Sequence, residues 1–221
     1  MPRSVKVKIC GLSDERGLKA AIDNGASYVG FVFYRRSPRF VDIETAAKLV
    51  ASVPRKVIPV GLFVDPTDAD LATILEHVPL AMIQLHGKES PARVAEIKKR
   101  TGLRVMKAVG VATVADVKAA SAYNTVADML LLDAKPPPGA TRPGGNAVAF
   151  DWTLARHYTG PLPWMLAGGL TGKNVAAAVS QSGARIVDVS SGVETKPGVK
   201  SPAKIRAFLA AVAAAKPARS P

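Results

Sequence analysis

The chain has 221 residues, 48% hydrophobic and only 5% aromatic, with 30 Lys+Arg against 17 Asp+Glu and a formal net charge of +13. That is enough for one sizeable buried core. The opening MPRSVKVKICG lacks the apolar run of roughly 7–15 residues of a signal peptide, and no stretch of about 18 uncharged apolar residues follows, so a soluble, cytoplasmic chain with no membrane partner is expected.

Short apolar or β-branched runs alternate with longer amphipathic segments. Strands are expected at Val5–Cys10, Tyr28–Phe33, Val57–Val64, Ala81–His86, Arg104–Ala108, Asp128–Asp133, Trp164–Ala167 and Ile186–Ser190. Between and after them, helices are expected near Asp14–Asn24, Ile43–Val53, Thr67–Val78, Ser90–Arg100, Val111–Ala120, Asp151–His157, Thr171–Ser180 and Ser201–Ala214. Strands that alternate with helices pair in parallel through right-handed crossovers. Eight such units in a chain near the usual ~250 residues favour a closed (β/α)8 TIM barrel, class α/β, over an open doubly wound sheet, and no G-x-G-x-x-G follows the first strand. One barrel domain is expected over 1–214, with a frayed tail at 215–221. The run Lys135–Gly145 (KPPPGATRPGG) follows the sixth strand and reads as a long loop on the catalytic face rather than a linker.

In a barrel the reacting groups stand where strands end. Those ends are polar here: Cys10-Gly11, Ser37-Pro38-Arg39, Gln84-Leu85-His86-Gly87, Asp133, and Asp188 with Ser190-Ser191-Gly192. Taken singly, each has a plainer reading, a buried free cysteine as a small hydrophobe or a strand-end aspartate as a loop cap. All five, however, fall on one rim. Gly168-Gly169 after strand seven and Ser191-Gly192 after strand eight suit a phosphate cradle, since those loops in barrels bind phosphate through backbone N–H groups that a Cβ would hold away. Lys8 shares a face with Cys10, and closure makes strands one and eight neighbours, so a Lys8–Asp188 contact is expected beneath the site. The lone Cys10 can form no intramolecular disulfide and leaves no cysteine cluster for a metal.

The stretches VKVKICGL, ASYVGFVFYRRSPRFV, VGLFVD, IQLHGKE, KAVGV, LLLDAK, FDW, LAGGL and VDVSSGVE occur in the order found in phosphoribosylanthranilate isomerases, and by them the chain resembles that family along nearly its whole length. The loop PPPGATRPGG is longer and richer in proline than in some members. The resemblance implies an Amadori rearrangement of N-(5-phosphoribosyl)anthranilate to 1-(2-carboxyphenylamino)-1-deoxyribulose 5-phosphate in tryptophan biosynthesis, with no metal or coenzyme, in a monomer or homodimer. It implies Asp133 as general acid, Cys10 as general base and Arg39 as the partner of the anthranilate carboxylate; His86 matches a family position but is given no role. These roles ask for a carboxyl that keeps its proton near neutrality and a thiol that loses one more readily than usual, the former by partial burial and the latter by a nearby cation.

The charge fits this reading, because Arg35, Arg36, Arg39, Lys135 and Arg142 fall in rim loops where they would attract a substrate bearing phosphate and carboxylate. Two rival readings remain. Another ribose-phosphate barrel isomerase, of the histidine-pathway type, would usually pair two aspartates where this chain has Cys10. A non-catalytic anion- or nucleic-acid-binding protein would call for a basic-aromatic stripe or a recognition motif, whereas the basic residues are scattered, as at Ile97-Lys98-Lys99-Arg100, so no nucleic acid partner is expected.

Overall fold

Alternation of strand and helix closes the chain into a ring. In the computed structural model, which describes residues 4–136, 139, 144–145 and 149–215, the barrel strands are β1 Lys6–Cys10, β2 Tyr28–Val32, β3 Ile58–Phe63, β4 Met82–Leu85, β5 Arg104–Val111, β6 Met129–Ala134, β7 Trp164–Leu166 and β8 Ile186–Val189. They pair in parallel and in sequence order, and the ring shuts where β1 meets β8 with Lys8 opposite Asp188. The helices are α1 Glu15–Asp23, α2 Ile43–Ala51, α3 Asp68–His77, α4 Pro91–Thr101, α5 Val114–Ala119, α6 Val175–Ser182 and α7 Pro202–Ala214.

The helices start where the sequence supplies an acceptor for their first N–H groups. Asp14, Asp42, Ser90 and Ser201 each accept from a backbone N–H of the first turn, and Thr67 with Asp70 and Thr113 with Asp116 form reciprocal capping boxes. Pro91 and Pro202 sit at the first helical position, where a missing N–H costs nothing.

Burial is arranged in two shells. Between barrel and helices pack residues such as Ile9, Phe31, Phe63, Ile83, Leu130, Val187 and Phe208. Inside the ring, Tyr28, Val60, Met82, Met106, Met129, Leu131 and Met165 fill the lower interior, and Cys10, Val32 and Leu62 form a separate cluster. Period-two alternation therefore turns Lys8 and Cys10, Gln84 and His86, and Leu131 and Asp133 to the interior.

Several expected boundaries shift. β5 runs to Val111 rather than Ala108, pairing Val109–Val111 with Leu132–Ala134, so the fifth helix begins at Val114 and not Val111. The sixth helical segment, Trp152–His157, is a 3-10 helix, capped by the Asp151 side chain at the N–H of Thr153. α6 begins four residues after Thr171, and β8 ends at Val189 because Ser190 leaves extended geometry (φ −125, ψ −78). After a 3-10 turn at Ser191–Val193, the chain adds an unforeseen hairpin, β9 Glu194–Lys196 and β10 Val199–Lys200. The expected tail lies, beyond Ala215, outside the described residues, as does Arg142. No helix among the described residues is long and apolar enough to cross a membrane.

Candidate active site

One cavity opens at the C-terminal ends of the strands, lined by residues that include Cys10, Arg39, His86, Asp133, Gly168, Gly169, Asp188 and Ser191. Cys10 and Asp133 come from the non-adjacent strands β1 and β6 and are both buried. Asp133 Oδ1 accepts from the N–H of Ala134 at 2.9 Å, and its Oδ2 lies 3.3 Å from His86 Nε2. His86, left without a role by the sequence, thus touches the carboxyl. Lys135 also lines the cavity and pairs with Asp116 at 3.1 Å, while Arg35 and Arg36 are exposed nearby, Arg35 over the ring of Phe40.

Beneath Cys10 stands the expected ion pair. Lys8 Nζ donates to Asp188 Oδ1 at 2.9 Å, with the lysine fully buried. Burial opposes the lysine's charge, but Asp188 and Cys10 outweigh it and hold the ammonium above its ordinary range. For Cys10 the balance falls the other way: burial, the largest influence, pushes the thiol up despite the pull of Lys8. The expectation of a thiol lowered by its neighbouring cation is therefore overturned. The cation is there, yet desolvation of the thiolate wins.

Arg39 also differs from its expected role in one respect. Its Nε and Nη2 donate to the two oxygens of Glu194 at 2.7 and 2.9 Å, so one full edge of the guanidinium is engaged before any substrate arrives. Glu194 is held in turn by Lys200 Nζ at 2.7 Å, and Lys200 also donates to the carbonyl oxygen of Ser190, whose hydroxyl donates to the carbonyl oxygen of Cys10. This buried chain joins the Arg39 loop, the β9–β10 hairpin and β1. The Arg39 side chain crosses Gly11 so closely that a Cβ there would stand 2.7 Å from Arg39 Cδ, and Gly11 has φ +77. Its Nη2 further reaches the carbonyl oxygen of Gly145 at 3.4 Å.

Gly168, Gly169 and Ser191 line the cavity as expected of an anion cradle. Gly192 is not in the lining; it is instead the point where the two loops touch, since a Cβ on it would collide with the carbonyl oxygen of Leu170. Sequence reading also missed Lys107 of β5. This buried lysine pairs with Glu89 at 3.0 Å and donates to the carbonyl oxygens of Gly87 and Leu85, on either side of His86. A lysine inside an apolar strand was the available signal.

Fold and cavity together define a class: a (β/α)8 barrel with one polar cavity at the C-terminal ends of its strands, lined by a thiol, carboxyls, an imidazole and an arginine. The model of the N-(5'-phosphoribosyl)anthranilate isomerase family matches residues 7–211. An isomerase of that name from Paracoccus denitrificans is 60% identical over 94% of this chain and 96% of its own, and one from Paramagnetospirillum magneticum is 55% identical over 96% and 99%. Among solved structures, the Thermotoga maritima phosphoribosyl anthranilate isomerase superposes with a TM-score of 0.84 at 35% identity, covering 94% of this chain and 98% of its own. The chain belongs to the N-(5'-phosphoribosyl)anthranilate isomerase family, and is an isomerase of tryptophan biosynthesis.

Proposed function

We propose that Asp133 and Cys10 are the general acid and general base with which this isomerase converts N-(5'-phosphoribosyl)anthranilate to 1-(2-carboxyphenylamino)-1-deoxyribulose 5-phosphate. The observation that carries the reading is that the Asp133 carboxyl and the Cys10 thiol, from the non-adjacent strands β6 and β1, line a single cavity with Arg39 and the glycine-containing loops. Ring opening needs a proton on the ribose ring oxygen, which the Asp133 carboxyl supplies, leaving an iminium at C1. The iminium acidifies the C2 hydrogen, and the Cys10 thiolate removes it to give the enolamine, which tautomerises to the ketone. Lys8 behind Cys10 stabilises the thiolate while it exists, and Asp188 keeps that ammonium in place.

The substrate phosphate rests against Gly168, Gly169 and Ser191. Arg39 offers its remaining N–H groups to the anthranilate carboxylate, its other edge fixed by Glu194. A related solved structure holds reduced 1-(o-carboxyphenylamino)-1-deoxyribulose 5-phosphate; it is 32% identical, with a TM-score of 0.80, and supports a product-shaped ligand in this fold. The protein acts in the cytoplasm without a cofactor, as a monomer or homodimer; a Thermotoga maritima relative is described as dimeric.

Steady-state kinetics of three variants test the roles. Cys10→Ser and Asp133→Asn each lower turnover by about 10²–10⁴, as loss of a general base or acid does, while binding of a reduced product analogue persists. Arg39→Ala chiefly weakens binding. Near-normal turnover in either of the first two variants rejects the assignment.

A further inference from the structure

Gln84 and His86 end the fourth strand two residues apart and face the same way. Gln84 is 1% exposed, its side-chain Nε2 lies 3.2 Å from His86 Nδ1, and His86 Nε2 lies 3.3 Å from Asp133 Oδ2. Amide, imidazole and carboxyl thus form a line that ends on Asp133. At its far end, Gln84 Oε1 is buried with no hydrogen-bond partner among the described residues.

A neutral imidazole donates from one ring nitrogen and accepts at the other, and an amide donates from its nitrogen and accepts at its oxygen. The orientation of the Gln84 amide therefore decides whether His86 Nδ1 carries a proton, and with it how many protons the His86–Asp133 pair can share. With its N–H directed at Nδ1, the ring proton lies on Nε2 and is donated to Asp133, an arrangement that suits the carboxylate best. With the amide turned by half a rotation, Oε1 accepts from an Nδ1–H, and a second proton then lies between Nε2 and Asp133 Oδ2, on the carboxyl or on the ring. The second arrangement contains one more proton, taken from water.

We propose that Gln84 is a positioning residue which, through the tautomer of His86, sets whether Asp133 holds the proton it delivers. The proposal rests on the reading of Asp133 as the acid. Because the outer end of the amide meets no hydrogen-bond partner among the described residues, its orientation follows the ring, and amide and ring exchange partners together as the acid is loaded and discharged. The side chains of Cys10, Arg39, Lys135 and Asp188 line the same cavity from their own elements, and Lys107 fixes the carbonyls beside His86.

The test is the nitrogen NMR spectrum of the His86 ring between about pH 5 and 9, where histidine chemistry is visible. In the unaltered protein the ring passes from the Nδ1–H to the Nε2–H tautomer as pH rises; in Asp133→Asn the tautomer no longer follows pH. Gln84→Glu, which replaces the amide N–H donors with a carboxyl, shifts the tautomer balance away from that of the unaltered protein. Gln84→Met, of similar length but without a hydrogen bond, loses the pH-coupled exchange and lowers kcat by about tenfold or more with KM within about twofold. One unchanging tautomer across pH in the unaltered protein overturns the proposal even if no Gln84 variant folds. So does a Gln84→Met protein with normal kcat. If Asp133→Asn turns over normally, it is the acid assignment itself that fails; if Asp133→Asn is inactive but Gln84→Glu leaves the tautomer unmoved, only the role of Gln84 fails.

Discussion

Arg39 and Glu194 meet edge to edge, 155 residues apart in sequence, with both side chains at most 5% exposed. A guanidinium held on one side by a fixed carboxylate presents its other side in a fixed direction. Burial disfavours the Glu194 charge, yet Arg39 and Lys200 together outweigh it and hold the carboxyl below its usual range. Glu194→Gln leaves two buried cations without their partner and costs about 3–5 kcal/mol, the usual penalty for breaking a buried pair. The pH dependence has a definite sign. A depressed carboxyl contributes stability above its unfolded value, near 4.3, and loses it as pH falls through the folded one. Denaturant unfolding should show a wide gap between the two proteins at neutral pH that narrows below about pH 4; a gap that stays constant with pH would separate Glu194 from the titration.

The thiol of Cys10 offers a second measurement. Since burial raises it, alkylation by a small haloacetamide should gain speed with pH only beyond the ordinary thiol range, and Lys8→Met should move that rise to still higher pH. A raised folded value means that the native state keeps a proton which the unfolded chain releases, so stability falls as pH climbs past the unfolded thiol value near 8.5. Cys10→Ser removes that decline. An alkylation rate already at its maximum near neutrality would contradict the burial argument.

Gly192 gives a prediction about the phosphate. A methyl group there drives into the carbonyl oxygen of Leu170 and forces apart the loops after β7 and β8. Gly192→Ala should therefore raise KM by about tenfold, the equivalent of one lost anion contact, and weaken inhibition by inorganic phosphate to a similar degree. Unchanged phosphate inhibition would place the anion elsewhere in the cavity.

What the sequence could and could not disclose follows from range. Ring order and the identity of the rim were legible because both depend on local periodicity: each strand's alternation says which residues face inward, and the end of each run says which of them reaches the mouth. Even Lys8–Asp188 could be anticipated, since closure makes the two strands neighbours. Arg39–Glu194–Lys200 could not, because its members lie on a loop and a hairpin whose docking has no local signature, although Pro197-Gly198 between two short extended segments was a turn signal. For Cys10 the sequence showed the cation but not the depth of burial, and the sign of the shift depends on which of the two is larger.

The seam between Lys8 and Asp188 also bears on how the protein is made. The two residues are 180 positions apart, so the strand carrying Cys10 leaves the ribosome long before the strand that steadies its lysine. Contacts this distant form late and leave partial chains with exposed strand edges. A nascent chain halted between Asp133 and Ile186 already carries Cys10, Lys8 and Asp133 but lacks Asp188, the partner that holds the lysine. The pair beneath the base, and the Glu194 that fixes Arg39, are therefore completed only by the chain from Ile186 onward, when the ring shuts.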